Sequence, residues 1–279
     1  MKVAVLSGKG GAGKTMVSVN LACASGAACY IDADVEEPNG RLFLKPGQTS
    51  RSQVFVSVPR FDETACTGCR KCVEFCRFNA LAYVAGRHKL FEQVCHDCGG
   101  CKLVCPAGAV GQAERPVGWV ERGARAGVEV VTGILNVGES SAMPVIRAAL
   151  REGFARQAAL TVIDCPPGSA CSVMECVSNA DYCLLVAEPT AFGLDNLNMV
   201  HELSALLKKP CGLVINRQTA PYGPLEDFCA RSGVPVLARI PYSARYAALC
   251  AQGGLLCECD GEARSLFEAL LKRIGGECA

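Results

Sequence analysis

The segment Gly8-Lys9-Gly10-Gly11-Ala12-Gly13-Lys14-Thr15 follows the apolar run Val3–Leu6 and leads into a helical pattern, Lys14–Ala24. A glycine-rich string in this position is the turn between a buried strand and a helix. Its backbone N–H groups converge at the helix N-terminus, a setting that suits a phosphate group. Lys14 is placed to neutralise terminal phosphates, and Thr15 offers a hydroxyl to Mg2+. The chain is thereby committed to an α/β architecture from its first residues.

The remaining pattern agrees. Short aliphatic runs at Tyr30–Ile31, Val128–Val131, Leu160–Ile163, Tyr182–Ala187, Leu213–Ile215 and Val236–Ile240 read as buried strands. Helical patterns fall at Asp195–Lys208, Leu225–Ser232, Ala244–Gln252 and Glu262–Ile274. Such alternation predicts a doubly wound, mostly parallel sheet covered on both faces. Several strands end in polar residues: Asp32 and Asp34, Asp164, Glu188, and Asn216 with Arg217. Ligands of open α/β sheets bind at the carboxyl ends of the strands, so these residues are expected along one edge.

Between residues 59 and 116 the alternation stops, and two cysteine arms appear. They read Cys66-x2-Cys69-x2-Cys72-x3-Cys76 and Cys95-x2-Cys98-x2-Cys101-x3-Cys105. Three closely spaced thiolates cap one 4Fe–4S cube, and the fourth, after a longer step, reaches the other. Cluster one is therefore assigned to Cys66, Cys69, Cys72 and Cys105, and cluster two to Cys76, Cys95, Cys98 and Cys101. Zinc sites usually pair their ligands across a gap, unlike two runs of four. A segment this short needs bound metal to supplement its core. The arms resemble a two-cluster bacterial ferredoxin, with one departure: Pro106 follows the second arm, but Arg77 follows the first. A cation there is expected to raise cluster two's potential. His96 is read as lying beside a cluster or at the surface. The predicted organisation is a first part of the phosphate-loop domain at 1–58, an inserted small α+β ferredoxin-like domain at 59–116, and a second part of the phosphate-loop domain at 117–279.

The twenty cysteines among 279 residues bear on location. Met1-Lys2 leads straight into a strand, and no apolar run approaches the roughly 20 residues that span a bilayer. A reducing cytoplasm is expected, with thiols free or metal-bound. The twelve cysteines outside the arms are read mostly as small core residues. A net charge of +1 without basic blocks argues against nucleic acid as a partner.

The string K-G-G-x-G-K-T, with its early Lys9, resembles the deviant Walker A motif of the MinD/Mrp-type P-loop ATPases, which include the nitrogenase iron protein. The resemblance implies ATP and Mg2+ as ligands, with Gly8, Lys9, Gly10, Gly11, Ala12, Gly13, Lys14, Thr15 and Met16 around the phosphates. Lys9 would act in trans across a dimer, as an arginine finger does; contact with its own phosphate is the alternative. Asp34 would orient or activate the attacking water. Asp32 would hold a Mg2+-bound water, and Asp164 is the Walker B aspartate; local turn bonding is the alternative at both positions. Pro166-Pro167-Gly168 matches switch II, and Asn216 with Arg217 the adenine position. Cys171, seven residues past Asp164, lies at an offset similar to that of a cluster-ligating cysteine in the nitrogenase iron protein. It is a candidate labile ligand or simply another cysteine among many.

The whole resembles MinD-superfamily ATPases carrying a ferredoxin insert. That implies a homodimer, or a heterodimer with a paralogous ATPase, and a redox or cluster-acceptor partner. Three functions follow: ATP-coupled low-potential electron transfer, ATP-dependent cluster assembly or delivery, and a MinD-like spatial switch with redox-sensing clusters. The stripe Leu266, Phe267, Leu270, Leu271 and Ile274 is expected to pack on its own domain rather than on a membrane. Cys257, Cys259 and Cys278 have no assigned role.

Overall fold

A computed structural model describes residues 1–277; Cys278 lies outside the described residues. The chain divides into two packing units. Unit one comprises Met1–Ser52, Val120–Ile134 and the chain from Ile146 onward. Unit two comprises Gln53–Trp119 and Leu135–Val145.

The chain starts with β1 (Lys2–Leu6), α1 (Lys14–Ala24), β2 (Ala28–Asp32) and α2 (Gly40–Leu44). β3 (Ser50–Phe61) leads into unit two, where α3 (Lys71–Phe75), β4 (Leu81–Val84), β5 (Arg87–Leu90) and α4 (Gly100–Leu103) follow. β6 (Val110–Arg125) leads back to β7 (Val128–Leu135), and α5 (Met143–Phe154) and β8 (Thr161–Asp164) come next. The rest alternates: α6 (Cys171–Ser178), β9 (Tyr182–Ala187), α7 (Ala191–Leu206), β10 (Cys211–Gln218), α8 (Gly223–Ser232) and β11 (Val236–Pro241). Three helices finish it: α9 (Ala244–Ala251), α10 (Leu256–Cys259) and α11 (Gly261–Glu277).

The sheet order is β11-β10-β9-β1-β8-β2-β7-β6-β3, and the neighbours from β11 to β7 pair parallel. β2 and β9 are buried at every residue, as parallel strands covered on both faces must be. The register sets Asp32 opposite Asp164 on adjacent strands. One core joins the α1 and α11 faces to the sheet through Val17, Leu21, Tyr30, Val162, Leu184 and Phe267. The predicted terminal stripe turns inward: Phe267, Leu270 and Ile274 are fully buried, and Leu266 and Leu271 pack against the same core. Among the described residues no helix is long and apolar enough to cross a membrane.

The expected boundaries at 58/59 and 116/117 fall inside continuous strands, β3 and β6. Unit two also includes Leu135–Val145, held by the Arg115 guanidinium on both Glu139 oxygens at 2.5 and 2.8 Å. Within unit two the arms repeat at a spacing of twenty-nine residues. Left-handed backbone at Gly68, Arg70 and Asn79 recurs at Asp97, Gly99 and Gly108. α3 and β4 start twenty-nine residues before α4 and β6. The helices of the two halves pack so closely that a Cβ on Gly100 would lie 2.2 Å from the Phe75 ring.

Candidate functional site

The glycine loop joins β1 to α1. Gly11 and Gly13 adopt φ of 81° and 94°, conformations that side-chain-bearing residues resist. Space is also limiting. A Cβ on Gly8 would meet the Asn196 carbonyl at 2.2 Å, and one on Gly13 the Asn216 amide at 2.0 Å. The Asn216 Nδ2 donates to the Ala12 carbonyl at 2.8 Å and is buried. Asn216 thus braces the loop from the end of β10.

Lys14 points from the first turn of α1 into a buried carboxylate cluster. Its Nζ lies 2.6 Å from Asp164 Oδ1 and 3.7 Å from Asp34 Oδ2. Burial works against this ammonium, but Asp164, Asp34 and Asp32 outweigh it and hold its pKa above that of an ordinary lysine. Asp164 also accepts from Ser18 Oγ at 3.1 Å and from the Tyr30 hydroxyl at 2.9 Å. Asp32 accepts from the Gly40 N–H at 2.8 Å. Burial, then the Asp164 charge, push its pKa well above the usual carboxylate range. Thr15 is half-buried in the same turn. Lys14, Asp32, Asp34 and Asp164 are therefore brought together as the strand-end rule requires. Ser18 and Tyr30 complete the network without having been expected. Tyr30 lies two residues before Asp32 on a strand, hence on the same face, and that was the available signal.

Asp34 has a pKa of about 6, raised chiefly by burial, with Lys14 opposing and Asp164 assisting. A carboxyl raised in the folded state keeps its stabilising contribution below its unfolded pKa of 3.8 and loses it as pH rises through about 6. Asp34→Asn is therefore expected to stabilise the nucleotide-free protein by about 1–2 kcal/mol above pH 6, after allowance for partial solvent access. The gain should vanish below pH 4. Urea unfolding of both proteins across that range checks it; a pH-independent difference would contradict it.

Lys9 does not point at its own loop. Its Nζ pairs with Glu188 Oε2 at 2.8 Å and sits 5.0 Å from the Phe192 ring centroid. Glu188 also holds Arg217 at 2.6 Å. Burial opposes the ionised Glu188, but these two cations hold its pKa below the usual range. Glu188, noted in the sequence only as a strand end, thus ties together two residues assigned to nucleotide.

The eight arm cysteines line two cavities of unit two. One is bordered by Cys66, Cys69, Cys72 and Cys105, the other by Cys76, Cys95, Cys98 and Cys101. The fourth cysteine of each arm faces the cavity of the opposite trio. All nineteen described cysteines are free thiols. Cys171 is exposed at the first residue of α6. Cys257 is buried with its thiol toward the Asn20 carbonyl at 3.4 Å, whereas Cys259 is exposed. His96 stacks on Phe78, ring centroids 3.8 Å apart.

The family model described as the CobQ/CobB/MinD/ParA nucleotide binding domain matches residues 3–256. Two uncharacterized proteins of Methanocaldococcus jannaschii are similar. MJ0579 is 26% identical over 94% of this chain and 90% of its own length. MJ0578 is 31% identical over 73% and 74%. Among solved structures, the cell division ATPase MinD of Pyrococcus furiosus superposes with a TM-score of 0.60 at 20% identity, covering 99% of this chain and 98% of that one. The Mg-ADP complex of MinD from Pyrococcus horikoshii gives 0.60 at 18%, covering 100% and 98%. Identities this low speak for the fold alone. With the strand order, the braced glycine loop and a match running almost from end to end, the chain belongs to the CobQ/CobB/MinD/ParA nucleotide-binding family.

Proposed function

We propose that this protein is an ATP-hydrolysing iron–sulfur protein in which nucleotide gates low-potential electron transfer. The observation that carries the reading is the division of eight thiols into two cavities of four, each combining three cysteines of one arm with the last of the other. Two sets of soft, free thiols fit two 4Fe–4S clusters. When bound, such clusters supply one-electron redox chemistry at low potential. Unit two is read as the ferredoxin-like insert, and its repeat of twenty-nine residues supports that.

At the other site, Gly8–Met16 would wrap the phosphates of ATP. Thr15, Asp32 and Asp164 fit a hard cation, since buried carboxylates need positive charge nearby. Lys14 satisfies Asp164. Terminal phosphates would draw Lys14 away and free Asp164 for Mg2+. Cys165-Pro166-Pro167-Gly168 follows Asp164 directly, and the Gly168 N–H bonds to the Ser7 carbonyl at 2.9 Å. That segment, between Asp164 and α6, is the candidate to sense the nucleotide's terminal phosphate. Asp34 is the candidate to orient the attacking water. Lys9, parked on Glu188, is the candidate to reach a second subunit's phosphates in a homodimer or in a pair with a paralogous chain. The existence of two similar chains in one organism supports the latter. Asn216 and Arg217 remain the adenine-side candidates.

Anaerobic purification tests the reading. About eight iron and eight sulfide ions per chain are expected, with ATP bound and hydrolysed. A preparation without inorganic sulfide would defeat it. A second reading, cluster delivery to an acceptor, is favoured by the exposure of Cys171 beyond the switch II turn. Cys171→Ala should then abolish delivery and leave the two arm clusters intact.

A further inference from the structure

We infer that Glu188 is a positioning residue for ATP hydrolysis: its carboxylate holds Lys9 within its own subunit, and Arg217 makes that hold releasable, so the pair sets how readily Lys9 crosses to a second subunit. The inference rests on the dimeric ATPase reading above.

Glu188 directly follows β9, and its side chain is 14% exposed. Its two oxygens are divided between two cations. Oε2 pairs with the Lys9 ammonium at 2.8 Å, and Oε1 with Arg217 Nη1 at 2.6 Å. Ile215 of β10 pairs with Ala187 of β9, so Arg217 and Glu188 leave adjacent strand ends. Arg217 sits where β10 loses its register with β11, between Ile215 and Gln218, and its φ is 55°. Left-handed backbone is costly for a residue with a side chain and persists where surrounding contacts hold it. The Glu188 ion pair is such a contact.

The backbone of Lys9 is fixed as well. Ser7 Oγ donates to its carbonyl at 2.9 Å. The neighbouring Gly8 lies against Asn196 of α7 with no room for a Cβ. Reorientation of Lys9 therefore falls to its flexible four-carbon stem. The Phe192 ring, which faces the ammonium at 5.0 Å, adds a second contact on the Glu188 side.

The ammonium of Lys9 reaches another subunit's phosphates only by leaving Glu188. Partial shielding from water makes this ion pair stronger than a fully exposed one. Arg217 decides what leaving costs. A shielded carboxylate that loses its only cation is left uncompensated, which is strongly unfavourable. Glu188 keeps Arg217 when Lys9 departs. The two cations also repel each other across the carboxylate they share, which loosens both. Glu188 thus opposes the crossing of Lys9, and Arg217 moderates that opposition.

Because Lys9 acts across the dimer, ATP hydrolysis per chain rises with protein concentration. The test follows that rate in the anaerobic full-length protein over a dilution series at saturating Mg-ATP. Glu188→Gln keeps the shape and removes the charge. It should lower the concentration of half-maximal rate about tenfold, since two such contacts break per dimer. A purely structural role for Glu188 would raise that concentration or leave it unchanged. Arg217→Ala should raise it, because Glu188 then holds Lys9 alone. Arg217 is 55% exposed, so this second variant does not depend on the folding of the first. Saturating nucleotide removes any contribution from a weakened base contact. In the Glu188→Gln background the Arg217→Ala effect should shrink, since its route through Glu188 is gone. An unchanged or higher concentration in Glu188→Gln, an unchanged or lower one in Arg217→Ala, or an equal Arg217→Ala effect in both backgrounds would overturn the inference. A wild type that hydrolyses ATP at one rate per chain at every concentration, or not at all, has a different signature and would remove the dimeric ATPase reading itself.

Discussion

Lys14→Met is expected to cost the nucleotide-free protein about 3–5 kcal/mol of stability and to abolish ATP binding. Lys14 is 7% exposed and lies 2.6 Å from Asp164, which is itself buried on the central strand β8. Removing the ammonium leaves Asp164, Asp32 and Asp34 on neighbouring strand ends without a counter-charge. Such groups answer by taking up protons. The deficit should therefore be largest above pH 7 and shrink as the carboxylates protonate in acid. Unfolding in urea at pH 8 and pH 5, with calorimetric titration of ATP, measures both effects. A variant as stable as the wild type at pH 8 would contradict the view that Lys14 carries the charge balance of the cluster.

The next largest effect is a crossed one. Cys105→Ser should disturb the EPR signal of the cluster proposed for Cys66, Cys69 and Cys72 and leave the other signal unchanged, although Cys105 belongs to the second arm. Cys76→Ser should do the reverse. The physical reason is the longer step before the fourth cysteine, which turns it to the cavity of the opposite trio. Unit two has few buried aliphatic side chains to compensate, chiefly Val56, Val58, Leu81, Val110, Val117 and Val145. Loss of one cluster should therefore also lower its resistance to proteolysis. Disturbance of the signal belonging to the mutated arm's own trio would show that each arm closes on itself.

Much of this was legible in residue order. The helix Lys14–Ala24 and the strand Tyr182–Ala187 have the bounds that the pattern predicts, because each is a dense apolar run with clear ends. The acidic strand ends converge because parallel strands share one carboxyl edge. The grouping of arm cysteines follows from spacing alone.

Other features had no local signal. β3 and β6 alternate polar and apolar residues irregularly and are largely exposed over long stretches, so the expected domain boundaries cut through them. α5 and α6 were not foreseen. That residues 135–145 join unit two depends on Arg115 meeting Glu139, a pairing across twenty-four positions. His88 meets Phe61, Glu63 and Cys72 from a strand sixteen or more positions further along the chain. Glu188 gains its meaning only when Lys9 and Arg217 arrive from distant strands.

The central claim joins a nucleotide site in unit one to two clusters in unit two of a single chain. Its most direct test is an EPR-monitored redox titration of the anaerobic protein with ATP, with ADP and without nucleotide. The account predicts two reducible clusters, with the potential of at least one moved by ATP relative to ADP. Two clusters with the same potentials in all three conditions, or no cluster signal at all, would contradict it.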